Sequence, residues 1–178
     1  MEMQDWKEKF NSAETRSSST YMEQGNYFIR IDLIKSGKNS DGIDNFKLEG
    51  TVVHVFEGSH TLGQSVCDMK SRVNDIKSKA NFFMPEVKGL IADLMGMPSD
   101  QVTFENLLLV AGDTQPLKGM VCRYSAWNKQ TKAGNSFTNK KCKGIITEQE
   151  FLDVADEATI KRFKPSCRFK APKPVTQA

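Results

Sequence analysis

Three aromatic rings and seven cations lie between Asp113 and Glu148, and no acid lies among them. The cations are Lys118, Arg123, Lys129, Lys132, Lys140, Lys141 and Lys143, and the rings are Tyr124, Trp127 and Phe137. Guanidinium and ammonium groups attract phosphates, with an affinity that fades as salt rises. Ring faces stack on bases, each stack being worth about 1–3 kcal/mol. Neither interaction reads base order. Together they are what a single-stranded nucleic acid needs, and the overall charge of only +3 makes the basic stretch a local feature.

Other chemistries are poorly supplied. Metal-dependent cleavage needs clustered carboxylates. Asp32, Glu49 and Asp68 fall on expected strands but share no recognisable spacing. The chain has no Walker loop, no GxSxG and no HExxH. Its four cysteines, Cys67, Cys122, Cys142 and Cys167, form no CxxC pair, and His54 and His60 are not spaced with them as zinc ligands are. Free thiols, no metal, no cofactor and no catalytic residue are therefore expected. There is no apolar run long enough to span a bilayer and no signal-peptide core, so a cytoplasmic protein without membrane contact is the expectation.

The basic stretch reads as two alternating runs around a Lys-Ala-Gly turn, a β-hairpin. With the turn centred on Lys132, opposed residue numbers sum to 264. One face then carries Val121, Arg123, Ser125 and Trp127 across from Lys143, Lys141, Asn139 and Phe137. The other face carries Met120, Cys122, Tyr124 and Ala126 toward the core, with Cys122 opposite Cys142. Like charges directly opposed disfavour a sheet unless an anion neutralises them.

Before the hairpin, residues 1–24 read as an arm, with Trp6 and Phe10 four apart. Tyr27, Ile29, Ile31 and Leu33 alternate with Phe28 and Arg30, a strand whose second face extends the binding surface through Phe28 and Arg30. Lys38 borders the turn-rich loop that follows. Phe46–Phe56 forms a second strand with a bulge or bend at Gly50, and His60–Met69 a third. From about Lys79 the apolar period becomes helical, ending at Gly96 and Pro98. Ser99-Asp100 is read as the cap of a further short helix. An acidic helix spans about Thr147 to Phe163, with Thr147 and Glu150 as a capping box. Residues 164–178 are basic and proline-containing and are expected to be disordered.

Three strands, a helical insert and a hairpin follow the order of an OB-fold, a five-stranded partly open barrel with a helix between its third and fourth strands. The expected class is mainly β (α+β): one such barrel over residues 25–163, with a C-terminal helix.

The segments GNYFIRIDLIKSG, NFKLEGTVVHVFEGSHTLGQSVCDM and KGMVCRYSAWNKQTKAGNSFTNKKCKG resemble the first strand and loop, the next two strands, and the closing hairpin of bacteriophage single-stranded DNA-binding proteins with one OB-fold. The resemblance covers roughly half the chain and is one of pattern. It implies sequence-independent ssDNA binding in phage DNA replication, recombination or repair, inside the host cytoplasm. It points to Trp127, Phe137, Arg123, Lys129, Lys132 and Lys141. The expected partners are single-stranded DNA or RNA, further copies along the strand, and replication or recombination proteins. Many such proteins end in an acidic tail, whereas this tail carries Lys164, Arg168, Lys170 and Lys173. Two other readings stand beside this one. One is a protein-interaction module, such as a recombination mediator or a host-factor inhibitor, acting through Glu148–Glu157. The other is a metal-dependent nuclease.

Overall fold

The computed structural model describes residues 19–172 and 174. The expectations for Trp6 and Phe10 and for the last residues of the tail fall outside them.

Six strands form one curled sheet, half a barrel. They are β1 (Thr20–Tyr21), β2 (Gly25–Lys38), β3 (Asp44–Gly58), β4 (Ser65–Ser71), β5 (Val121–Gln130) and β6 (Ser136–Ile145). Their order is β1-β4-β3-β2-β5-β6, antiparallel except for β1 on β4. The strand beyond the expected five is β1. It docks because Met22, just after it, is buried and its amide donates to the Cys67 carbonyl at 3.0 Å. Residues before Gly25 are thus part of the packed fold, and β4 begins later than the expected His60.

Between β4 and β5 lie α1 (Val73–Ser78), α2 (Phe83–Met95) and α3 (Phe104–Val110). Helix α2 turns Phe83, Val87, Leu90, Ile91 and Leu94 inward and ends at Gly96, whose φ of 65° suits glycine. The cap of α3 is Thr103, boxed with Asn106, while Ser99–Gln101 forms only a 3-10 turn. The C-terminal segment makes two helices rather than one, α4 (Glu148–Leu152) and α5 (Glu157–Phe163). Thr147 and Glu150 box the first. Asp156 then adopts an extended conformation and caps the second by accepting the Thr159 amide at 2.7 Å, which breaks the run. That bond, first of all, holds the Asp156 carboxyl below its usual range.

The curled sheet has two faces. The inner face holds the main core, including Tyr27, Ile29, Ile31, Ile34, Phe46, Leu48, Cys122 and Tyr124. Side chains of this size each contribute about 1.5–3 kcal/mol on full burial. A bulge at Asp32, opposite Gly50, changes the alternation, so that Ile34 rather than Leu33 is fully buried. Strands β4 and β6 are not hydrogen-bonded to each other. Side chains bridge this seam. The buried Asp68 accepts from Tyr124 Oη at 3.1 Å and lies 3.1 Å from Lys70 Nζ and 3.7 Å from Lys140 Nζ. Burial, then the Asp68 charge, pushes the Tyr124 hydroxyl far above its usual pKa and keeps it a donor.

The outer face has a second, smaller core of Phe28, Val53, Val121, Ile146, Phe151 and Phe163. Residues after Phe163 help to close it. The Val121 amide donates to the Arg168 carbonyl and the Arg168 amide to the Gly119 carbonyl, Lys170 donates to the Ile146 carbonyl, and Phe169 meets Phe151 at 5.6 Å between ring centres. The segment from Lys164 to Lys170 is therefore built into the fold, in contrast to the disorder its composition suggests. Cys167 and Phe169 supply the apolar contacts that offset its ordering.

Candidate nucleic-acid interface

The hairpin forms as expected, but in a shifted register. Trp127 pairs with Asn139, Lys129 with Phe137, Ser125 with Lys141 and Tyr124 with Cys142, so opposed numbers sum to 266. The turn closes between Thr131 and Asn135, with Gly134 at φ 82°. A shift of two preserves the faces, because side chains alternate with period 2. It changes the partners: Trp127 faces no ring directly, Arg123 does not face Lys141, and Cys122 is opposite Ile145. Cys122 and Cys142 remain neighbours in the core. Their mutual hydrogen bond, then burial, raises the Cys122 thiol well above its usual pKa.

Trp127 is 44% exposed and Phe137 43% exposed, both on the outer side. Asn26 lies across from Ser125 and Phe28 from Arg123. The outer face of β5, with Phe137 of β6 beside it, therefore forms a stripe running from the tip through Phe137, Lys129 and Trp127 to Ser125 and Arg123. Residues spaced two apart along it lie roughly 6.5 Å from each other. Lys132 is exposed in the tip turn, and Lys143 is exposed on β6. Among the described residues, no carboxylate pairs with Arg123, Lys129, Lys132 or Lys143. Lys141 differs, being held at 2.6 Å by Asp93 of α2.

The stripe includes residues that the sequence reading missed. Arg123 stacks over Phe56 at 4.9 Å, and Phe56 meets Phe28 edge-on at 4.9 Å and His54 at 4.6 Å. Phe56 is the extra residue of a bulge in β3, between the pairs Asn26–Glu57 and Tyr27–Val55, and this bulge keeps Glu57 on the same face. A second bulge at Val53 sends both Val53 and His54 outward. Strict alternation would separate these side chains, and no signal in the sequence marks the two bulges. Burial among the rings, against a smaller opposing pull from Asp156, lowers the His54 pKa.

Phe28 and Arg30 share this face but are not open on it. Phe28 is 3% exposed beneath the second core. Arg30 is held by Asp32, Thr51 and Ser166, the last at 2.6 Å. Both are covered because the C-terminal helices and the segment after them pack on that end of the sheet. Lys38 sits at the far end of β2 from the hairpin tip, paired with Asp44 at 2.7 Å. The Lys38 bond, then that of Arg72, holds the Asp44 carboxyl below its usual range.

The three carboxylates considered for a nuclease each meet a cation: Asp32 with Arg30, Glu49 with Lys47, and Asp68 with Lys70. Among the described residues, no group of three or more His, Cys, Asp or Glu side chains has metal-binding geometry, and no helix is long and apolar enough to cross a membrane. The chain matches no protein-family model, and no curated protein is significantly similar to it.

Proposed function

We propose that the protein binds single-stranded DNA without regard to base order, as a non-enzymatic component of phage DNA replication, recombination or repair. The observation that carries this reading is the open stripe on β5 and β6, where two half-exposed rings stand among cations that have no carboxylate partner among the described residues. Stacking and phosphate neutralisation use these groups directly. The fold is read as an OB-like barrel. Its pairing order β4-β3-β2-β5-β6, with the helical insert between β4 and β5, supports this, and β1 is an addition at the edge. Titration with fluorescent ssDNA, duplex DNA and RNA at two salt concentrations tests the proposal. Tryptophan quenching, preference for ssDNA and steep loss with salt are expected. Absence of binding at low salt would make the hairpin a solubilising edge.

A second reading, a protein-interaction module, is favoured by a different surface from the acidic helix considered above. The insert exposes Phe82, Met84, Phe104, Leu108 and Leu109, each at least half exposed. Met84 and Phe104 line one apolar groove, and exposed apolar surface of this kind marks contact sites. A partner captured through this surface after nuclease treatment, with no ssDNA binding, would replace the first reading.

A further inference from the structure

Beside Trp127, where the start of β2 pairs with the end of β3, lies a cleft of about 390 Å³. Trp127 and Ala126 form one wall. The backbone of Gly25 and Gly58 lines the cleft as well. A side chain at either position would collide with Tyr27 Oη, and their φ values of 149° and 129° suit only glycine. Tyr27 Oη is fixed beneath them by donating to the Gln24 carbonyl at 2.6 Å. The cleft is thus preformed.

Its polar side is one rung across three strands. Ser125 Oγ donates to Asn26 Oδ1 at 2.7 Å, and Asn26 Nδ2 donates to Glu57 Oε1 at 2.6 Å. The relay orients the Glu57 carboxylate, whose other oxygen has no partner among the described residues. It also leaves Asn26 with a second amide N–H that has none. The rung therefore presents a donor beside a carboxylate acceptor, next to an exposed indole.

We propose that this cleft takes one unstacked nucleobase against Trp127 and favours guanine. The inference rests on reading the β5 stripe as a single-strand surface. Only guanine offers an acceptor, O6, followed by two donors, N1–H and N2–H. The Asn26 amide meets the first and the Glu57 carboxylate meets the other two in a bidentate pair. Thymine has a single N3–H flanked by carbonyls that the carboxylate repels. Cytosine and adenine each present one exocyclic amine beside a ring acceptor. Binding through the rest of the stripe remains indifferent to base, so the preference is a local bias on a tolerant surface.

The test compares an all-dT oligomer with the same oligomer carrying one central dG, dC, dA or deoxyinosine. Wild-type protein and Glu57→Gln are both measured. Glu57 is exposed, so the substitution leaves the fold intact, as circular dichroism would verify. The dG insert is expected to bind about fivefold tighter than all-dT. Inosine, which lacks the N2 amine, should lose most of that gain, and Glu57→Gln should abolish the difference between dG and all-dT without weakening all-dT binding, since it removes a charge that repels phosphate. Equal affinity for every insert in a protein that binds all-dT tightly overturns the pocket and leaves the single-strand reading standing. A dG preference that survives in Glu57→Gln also overturns it. No binding to any oligomer at low salt overturns both.

Discussion

The outer face of β2, β3 and β5 is treated differently at its two ends. Near Phe28, Val53 and Val121 the apolar groups are roofed by Phe151 and Phe163, and Arg30 is tied into the covering segment through Ser166. Near Trp127 and Phe137 no helix of the described residues covers the sheet, and the rings stay nearly half exposed among cations that no described carboxylate pairs with. The residue types at the two ends are alike. What separates structural from binding character is whether another part of the chain satisfies them. An aromatic residue that nothing covers keeps a face available for stacking. A buried one has already given its surface to the core.

The sharpest break of this contrast is Phe151→Ala. It empties the roof of the covered end and should cost about 3–5 kcal/mol of stability, read by thermal or urea unfolding. At the open end, the double change Trp127→Ala with Phe137→Ala should leave unfolding nearly unchanged. It should weaken ssDNA binding by about 1–3 kcal/mol per ring, seen in fluorescence anisotropy. If it destabilises the protein as Phe151→Ala does, the two ends are not different in kind. Arg123→Ala, between them, should lower the slope of log affinity against log salt by about 0.7. Asp93→Ala releases Lys141 for a phosphate. It should tighten binding by at most about 1 kcal/mol, the usual scale of an exposed ion pair.

The smallest effect is a pH dependence of the covered end. Burial lowers the folded pKa of His54, so the unfolded chain takes up a proton first, near the ordinary value of about 6.5. The stability linked to this residue is complete above that pH and is lost as the pH falls toward the folded value. A melting temperature that drops between pH 7.5 and pH 5.5 in the wild type, and less in His54→Gln, is the expected result. An equal drop in both would place the titration elsewhere.

Much of the open end was legible beforehand. The alternation around Lys132-Ala133-Gly134 predicts a hairpin, and the shared side of Trp127, Phe137 and Arg123 follows from their parity. That assignment survives a register two residues away from the expected one, because parity is unaffected by an even shift. The covered end was less legible. Phe28 and Arg30 have the same parity argument in their favour, yet their exposure depends on helices about 120 residues later in the chain. Glu57 reaches the interface only through a bulge.

The sequence by itself determined the local periods: strands before about residue 72, helices in the insert, the basic hairpin, and the Thr147–Glu150 cap. These follow from side-chain spacing and short-range hydrogen bonds, which act within a few residues. The tertiary structure alone decided which part of the outer face stays open. It also decided the rung Ser125–Asn26–Glu57 and the joining of Lys164–Lys170 to the core. Each of these depends on contacts between residues far apart in the chain, and only the packed fold brings those groups into reach.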